Sequence, residues 1–552
     1  MTQKGTEVSA SRAGFSPDTG SRVTGKDKMT TGSELCEETV MKPVVSSVAR
    51  KQLRGSGLLL AGRVISLGLT TLTQVLIVRY LATNDFGAWA YAMAVVLFWQ
   101  AAANLGFHEA VTRFVPIYHE RGDYPKLFGT IVLCCGFVLL TGAMVILGFY
   151  LWPETLLALV RQEAANLKVL FVLIFLVPAE AMDTLLLGLF ASLGGAGSIF
   201  VRRHVVSPLL KLIVVLLLLA LHSGVIFLAY GYLLTTIAGI AVYGWILLHQ
   251  MQREGILAHF SLRGLQLPVR EVFSFTIPMV SSDVLALLIQ SVAVFLLGYF
   301  HNMREVAFYR VVLPAAAMNQ TVAITSALLY LPAAARLFAA GDEEGLRHLY
   351  WRTTTWITML SLPIFVATFV FARPMTVMLY GQRYADAGLL LAILSLGFYY
   401  DVLFGFNGLT LKALNKLSIF VGSNLLAAVA GVVADLVLIP KYGALGAAIA
   451  TAIILIISTS LRQVALGLVL GTGIYQGKFL AVYGPLGLGL AAMAGIRLIV
   501  PSNLVLAAGL AAIVVGAVLL FTRKELGVLE VFPESARIPL VGRLSQWVRH
   551  ST

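Results

Sequence analysis

Ionisable side chains interrupt several long apolar stretches of this 552-residue chain, and their chemistry needs an explanation. Arg63 and Arg310 are two such positions. An ionisable group inside a bilayer costs about 2.5–3.5 kcal/mol on insertion scales, so it marks a functional site by default. A guanidinium stays charged, and its planar fork matches the oxygens of a phosphate. The alternatives for Arg63 are a structural pair with an acidic residue or extension to the membrane surface.

Acidic side chains occur in the same kind of stretch. They are Glu180, Asp183, Asp283, Asp401 and Asp435. Glu180 and Asp183 share one face of a helix because they are three residues apart. Carboxylates in a membrane are candidates for binding protons or Na⁺. The alternative is structural pairing, for which the basic partners are Arg63, Arg310 and Lys412.

Composition predicts that these residues belong to a membrane protein. Hydrophobic residues make up 59% of the chain and charged residues only 12%. Soluble globular proteins have about 25% charged residues, so this chain needs lipid as the solvent for its outer surface. The net charge of +13 would suggest nucleic acid for a soluble protein. Here the basic residues lie between apolar runs, which indicates membrane orientation and no nucleic-acid partner.

The apolar runs are long enough for membrane-spanning helices, each of which needs roughly 20 residues. We predict an all-α polytopic membrane protein with about 14 transmembrane helices. The predicted spans are 58–81, 87–107, 127–151, 166–190, 204–222, 224–248, 272–300, 306–332, 353–373, 386–410, 417–439, 443–467, 478–500 and 502–522.

The distribution of basic residues predicts the orientation. With a cytosolic amino terminus, about 30 of the 40 lysines and arginines fall on the cytosolic side and about seven on the other. Both termini are then cytosolic. Residues 1–54 lack the apolar core of a signal peptide and are predicted to form a disordered basic tail. Residues 524–552 mix apolar side chains with arginines, which predicts an amphipathic tail on the inner leaflet.

The connecting segments limit the chemistry. No predicted loop exceeds about 22 residues, which leaves no room for a folded extramembrane domain and disfavours a glycosyltransferase or polymerase. The phosphate-binding pattern GxxxxGK[ST] is absent from the sequence. The sequence has no metal-ligand spacing, and its three cysteines form no disulfide framework. We therefore expect no catalytic residues, metal or cofactor.

A repeated pattern predicts an internal duplication. The pair Gly122–Asp123 in YHERGDYPKLFG lies 219 residues before the pair Gly341–Asp342 in LFAAGDEEGLRHLY. Upstream, RYLATNDFGAWAYAM at 79–93 matches GYFHNMREVAFYRVV at 298–312 after one inserted residue. A displacement by six spans preserves orientation, so it predicts two parallel six-helix lobes plus two extra C-terminal helices. The predicted parts are an N-lobe at 55–250, a C-lobe at 251–467 and the added spans at 468–523.

The duplication also pairs three amides in apolar runs. Gln100 in span 2 corresponds in position to Asn319 and Gln320 in span 8. Amides at matched depth can bond the hydroxyl groups of a polar ligand, or they can bond other helices. Both interpretations stay open at the level of sequence.

Three stretches carry a family resemblance. They are VRYLATNDFGAWAYAMAV followed by NLGFHEAVTRFVP, VMLYGQRYADAGLLLAILSLGF at 377–398, and LIPKYGALGAAIATAI at 438–453. In order and spacing the chain resembles the polysaccharide and oligosaccharide flippases of the multidrug/oligosaccharidyl-lipid/polysaccharide exporter superfamily. In span 7, where many relatives have an acidic or amide residue, this chain reads SVAVFLLGYF. A coupling role at that position is therefore not carried over.

The resemblance implies a central cavity between two six-helix bundles, through which a lipid-linked oligosaccharide moves from the inner to the outer leaflet. Arg63 and Arg310 would bind the phosphate or pyrophosphate of such a substrate. Gln100, Asn319 and Gln320 would bind its sugar. Ion coupling would fall to the acidic set Asp283, Glu180, Asp183 and Asp401.

We therefore predict a non-enzymatic flippase of the bacterial inner membrane. It would move a polyprenyl-(pyro)phosphate-linked oligosaccharide by alternating access, for O-antigen, capsule or exopolysaccharide synthesis. Its expected partners are this lipid-linked oligosaccharide, membrane lipids, and the polymerase and glycosyltransferases of the same pathway. The alternatives are a lipid II or drug exporter of the same superfamily, or a membrane-embedded polysaccharide polymerase or synthase subunit.

Overall fold

The structure, a computed structural model, describes residues 65–104, 106–152, 164–192, 205–471 and 504–521, with a few isolated positions besides. Regular secondary structure in these ranges is helical throughout. The α-helices are α1 (Ile65–Tyr80), α2 (Thr83–Asn104), α3 (Phe107–Glu120), α4 (Tyr124–Leu151), α5 (Ala164–Leu173), α6 (Leu176–Ser192), α7 (Ser207–Ala220), α8 (Val225–Arg253), α9 (Val269–Phe300), α10 (Met303–Ala317), α11 (Thr321–Ala339), α12 (Glu343–Phe365), α13 (Ala372–Tyr380), α14 (Ala387–Leu403), α15 (Asn407–Ala413), α16 (Leu417–Tyr442), α17 (Ala444–Val469) and α18 (Leu504–Phe521). Short 3-10 turns occur at Ile256–His259, Leu262–Gly264, Met318–Gln320 and Gln382–Tyr384, and a π-helical turn at Val366–Val370.

The predicted class, an all-α polytopic membrane protein, is confirmed. Within the described ranges, eight helices are long and apolar enough to cross a membrane, or nine if a bent pair is one span. Helices occupy the predicted spans 2 to 12. The total of fourteen remains a prediction, because most of the segment 472–503, which contains predicted span 13, lies outside the described residues. The predicted tails 1–54 and 524–552 also lie outside them.

Helices at the periphery and at the centre differ in which side chains they bury. α4 exposes a row of large apolar side chains, including Leu140, Met144 and Leu147 at 57–64% exposure. Exposing such an apolar surface to water is unfavourable, whereas exposing it to lipid is not. In lipid the backbone groups of the helix form their hydrogen bonds within the helix. α2 instead buries nearly all of its first half, from Phe86 to Val96. α2 is therefore a central helix.

The two predicted lobes meet where α2 packs along α10. A Cβ atom at Gly87 would lie 1.9 Å from the carbonyl oxygen of Met303, at the start of α10. A Cβ at Gly298 would lie 2.4 Å from the ring of Tyr91 on α2. Small residues of this kind let membrane helices approach closely. The contact between the lobes thus depends on glycine at both positions.

The two Gly-Asp turns have the same backbone geometry. Gly122 and Gly341 have φ angles of 68° and 70°, in the left-handed region that glycine adopts without strain. The backbone N–H of Asp123 and that of Asp342 each bond the carbonyl five residues earlier, at 2.9 and 3.0 Å. Each aspartate side chain then caps the next helix, accepting a backbone N–H three residues later. This is the geometry that a duplicated segment predicts.

The helical path from α10 through α11 is bent by 48° between Ala327 and Leu329. The bend falls about four residues before Pro332, which lies inside α11. A proline has no N–H, and its ring crowds the carbonyl four residues earlier, so a kink is expected there.

Candidate functional site

A cavity of about 390 Å³ lies where the predicted lobes meet. Helices α1, α2, α7 and α8 form its wall on the N-lobe side, and α10 forms the wall on the C-lobe side. Trp89 and Tyr232 contribute an aromatic corner, with ring centroids 4.7 Å apart in an edge-to-face arrangement. Most of the other lining residues are apolar. A charge in this cavity therefore acts in surroundings of low dielectric constant.

Arg310 brings a positive charge into the cavity from α10. It lies one turn before Pro314, which also lines the cavity. In the described part of the chain the Arg310 guanidinium forms no ion pair and no hydrogen bond. An unpaired cation away from water costs several kcal/mol, so this guanidinium needs water or an anionic ligand beside it. The position fits the predicted phosphate-binding role.

Lys211 brings a second positive charge to the cavity from the N-lobe, on α7. Its ammonium lies 3.9 Å from the Glu180 carboxylate and 5.3 Å from the centre of the Tyr232 ring. The same carboxylate accepts a hydrogen bond of 3.2 Å from Thr236. The N-lobe side of the cavity thus has a lysine that is loosely paired, while the C-lobe side has an arginine without an ion pair.

Lys211 was not among the predicted site residues, although the sequence contained the signal. SPLLKLIVVLLLL places a lysine within a predicted span, which is the criterion that selected Arg63 and Arg310. Arg63 itself lies outside the described residues. Its predicted phosphate contact therefore stays a prediction. The residues of α1 that line the cavity begin with Thr70.

The three predicted amides bond protein groups and do not line the cavity. Gln100 donates to the Thr184 hydroxyl at 3.2 Å, from α2 to α6. Gln320 donates to the Asp401 carboxylate at 2.8 Å. Asn319 is fully buried and donates to the Ala316 carbonyl and to the Thr368 hydroxyl. The geometry favours contacts between helices, and sugar binding by these amides stays a prediction.

Asp401 is held in a polar network within the C-lobe. Its carboxylate lies 3.0 Å from the Arg462 guanidinium and also accepts hydrogen bonds from Thr459 and Gln320. The sequence analysis gave structural pairing as the alternative to ion coupling for the acidic residues and named Arg63, Arg310 and Lys412 as the basic partners, whereas the partner of Asp401 is Arg462. Arg462 is nearer because α17 packs directly along α14.

The other acidic residues are distributed differently. Glu180 reaches the cavity lysine as described above, and Asp183 follows it one turn later on α6. Asp283 is part of α9, but its side chain lies outside the described residues. Ion coupling by any of these carboxylates stays a prediction. Glu180 contacts Lys211, whose side chain lines the cavity.

Comparison with known proteins gives three findings. The sequence profile described as polysaccharide biosynthesis protein matches residues 52–338. No curated protein sequence matches the chain. Among solved structures, the chain is similar to a lipid II flippase MurJ in an inward closed conformation. The TM-score is 0.67 at 15% identity, covering 84% of this chain and 98% of that one.

Two further solved structures are similar. One is an inward-facing multidrug resistance MATE family transporter of the MOP superfamily, with a TM-score of 0.56, 14% identity and coverage of 73% and 94% of the two chains. The other is a mutant of the Vibrio cholerae MATE transporter VcmN, with a TM-score of 0.52, 17% identity and coverage of 78% and 99%. At these identities the similarity concerns the fold.

Proposed function

This chain belongs to the polysaccharide biosynthesis protein family, and on that premise we propose that it moves a polyprenyl-(pyro)phosphate-linked oligosaccharide across the bacterial inner membrane. The movement is by alternating access of the cavity between the lobes to the two sides of the membrane. Both termini are cytosolic in this proposal, and the chain catalyses no bond formation. The polymerase and glycosyltransferases of the same pathway are its proposed partners.

The single observation that carries the proposal is the Arg310 guanidinium, which lines a largely apolar cavity and has no ion pair among the described residues. A phosphate satisfies it, because guanidinium and phosphate form paired, charge-assisted hydrogen bonds. Lys211 faces the same cavity from the other lobe and provides a second positive charge. We propose Arg63 as a further phosphate ligand on the basis of sequence.

The surfaces of the helices suit the rest of the substrate. The phosphate and the sugar enter the cavity, while the polyprenyl chain stays in lipid against exposed apolar side chains such as those of α4. A volume of about 390 Å³ is near the lower end of ligand pockets, which span about 300–1,000 Å³. In the present conformation the cavity therefore accepts the phosphate and the adjoining sugar, and a longer glycan requires it to widen.

A drug exporter of the same fold is the alternative that the charges lining the cavity distinguish most directly from our proposal. Cationic drugs favour an acidic cavity, whereas the charges that line this one are Arg310 and Lys211. A lipid II exporter shares the phosphate chemistry, so only the substrate test separates it from our proposal. A polymerase or synthase subunit would form a new glycosidic bond, which the same test detects.

The test uses purified protein in liposomes with a fluorescent polyprenyl-pyrophosphate oligosaccharide, a fluorescent lipid II and a fluorescent cationic drug. Movement of the oligosaccharide lipid to the opposite leaflet supports the proposal. Movement of lipid II alone or of the drug alone supports the corresponding alternative. A new glycosidic bond in the recovered lipid would indicate an enzyme. No movement of any lipid-linked sugar by protein of native stability would overturn the proposal.

A further inference from the structure

Two arginines join the lobes at one end of the molecule. Arg79, in the last turn of α1, donates through Nε to the carbonyl of Leu379 at 2.8 Å. A second nitrogen of the same guanidinium donates to the carbonyl of Met378. Both carbonyls belong to the last turn of α13, which ends at Tyr380. These carbonyls have no partner within the helix. A positively charged guanidinium beside them also interacts favourably with the negative end of the helix dipole.

The contact is reciprocal. Arg383, in the 3-10 turn that follows α13, donates to the carbonyl of Val78. Val78 lies in the last turn of α1, which ends at Tyr80. Each arginine therefore satisfies the carbonyl end of the helix beside the other arginine. The two contacts connect residues about 300 positions apart in sequence, one in each predicted lobe.

Each side of the contact is fixed to its own lobe. The Tyr80 hydroxyl donates to the carbonyl of Ser223, between α7 and α8, at 3.1 Å. Tyr384 is fully buried, with its ring 5.9 Å from that of Phe308 on α10. The Tyr384 side chain thus packs in the core. Separation of the lobes at this end therefore requires both arginines to release their carbonyls.

The arginine pair lies at one end of the cavity. Ile77 on α1 and Phe86 on α2 line the cavity and flank the segment that contains Arg79. The turn at Gly122 lies at the far end of the nearly continuous helix Thr83–Glu120. The end with the arginines is thus opposite to the Gly-Asp turns, and in the proposed topology it faces away from the cytosol.

We propose that Arg79 and Arg383, with the carbonyls that they bond, form a latch that closes this end of the cavity. The cavity opens there only when both arginines have broken these hydrogen bonds. Both side chains are exposed at the surface, so water can replace their carbonyl partners, as an opening latch requires. The latch shares one assumption with the proposed function, which is that the two lobes move apart. The structure is then of a conformation closed at this end.

The test measures how accessible the cavity is from the latch side. Gln74, which lines the cavity on α1, is replaced by cysteine in a chain whose three native cysteines are alanine. A membrane-impermeant maleimide is applied from the side opposite to Gly122. We expect R79Q and R383Q each to raise the labelling rate about fivefold, and the double variant to raise it further.

Two control variants show whether a change in labelling rate is specific to the latch. R373Q removes the same charge from α13 at an exposed position outside the latch and should leave the labelling rate unchanged. R79K keeps the charge beside the helix end but lacks the planar fork, so its labelling rate should fall between those of R79Q and the parent. Thermal unfolding in detergent shows whether each variant is folded.

Unchanged labelling in folded R79Q, R383Q and double variants would overturn the latch, as would an equal rise in R373Q. The assay contains no lipid-linked sugar. A chain that fails to flip oligosaccharide can therefore still show the latch, and a chain without the latch can still transport. The two proposals are tested separately.

Discussion

Arg310 is the charged residue that most clearly lacks a partner within the described part of the protein. Arg310 lines a largely apolar cavity, and no described acidic side chain pairs with its guanidinium. A structural arginine in a membrane is normally paired or reaches the interface. An arginine that is neither needs another partner, such as an anionic ligand, and this requirement is the basis of the proposed phosphate contact.

Replacement of Arg310 should reduce transport while leaving insertion normal. We expect R310Q to lower the rate of oligosaccharide-lipid movement in liposomes more than about tenfold, because both fork hydrogen bonds and the charge are lost. R310K keeps the charge without the fork and should fall between R310Q and the parent. R304Q is the matched control, since Arg304 is exposed on the same helix with Phe308 as its ring contact. Full transport by R310Q would remove the phosphate contact from the proposal.

The pair Asp401–Arg462 makes a different prediction, because its geometry is that of a structural ion pair. The two side chains are 23% and 15% exposed and lie 3.0 Å apart. We expect D401N to lower the free energy of unfolding by about 1–3 kcal/mol, since it leaves the Arg462 guanidinium without its ionic partner. The double variant D401N/R462Q removes both charges and should regain part of that loss. Thermal unfolding in detergent measures both.

Ion coupling by Asp401 would give another pattern. D401N would then retain the thermal stability of the parent, and transport would lose its dependence on the proton or Na⁺ gradient. The two outcomes separate a structural carboxylate from a coupling one.

At the scale of elements, the two Gly-Asp turns are the clearest sign of duplication. Both glycines have left-handed backbone, and nothing lies within 4 Å of a Cβ atom built on either. A substitution there therefore tests backbone conformation without a steric clash. The aspartates that follow cap α4 and α12 in the same way.

Alanine at these glycines should destabilise each lobe by a similar amount. We expect G122A and G341A each to lower the free energy of unfolding by about 1–2 kcal/mol, the cost of left-handed backbone for an L-residue. G136A is the matched control: Gly136 has equally open space around its Cβ but lies inside α4. Because alanine favours a helix more than glycine, this variant should be neutral or slightly stabilising. Equal thermal stability of all three variants would contradict the account of the turns.

At the scale of the whole molecule, the duplication constrains topology. Two parallel lobes place the turns around Asp123 and Asp342 on the same side of the membrane. The distribution of basic residues predicts that this side is cytosolic. In our two proposals, the arginine latch then closes the cavity on the opposite side, and relative movement of the lobes opens it.

Reporter fusions test this arrangement. Fusions of a cytosolic reporter after Asp123 and after Asp342 should both be active, and fusions of an exported phosphatase at the same sites should both be inactive. A fusion after His222, which lies between α7 and α8, is the internal control and should show the reverse. Opposite activities at the two aspartates would eliminate the parallel lobes, and with them the site between the lobes.

The sequence by itself determined the class and most helices, and it predicted the repeat, because these depend on local patterns. Apolar length predicts a helix in lipid, since backbone groups there can bond only within the segment. A glycine at a left-handed turn and an aspartate at a helix start are equally local requirements. The 219-residue offset between the turns follows directly from such signals.

Tertiary structure decided which polar groups meet. The sequence could not distinguish Arg462 from Lys412 as the partner of Asp401, nor show that Gln100 and Gln320 bond neighbouring helices. It also could not show that Arg79 and Arg383 reach across to each other's helices. A polar group in a membrane must find some partner, but which partner it finds depends on how helices distant in sequence pack. That packing placed Arg310 and Lys211 around one cavity.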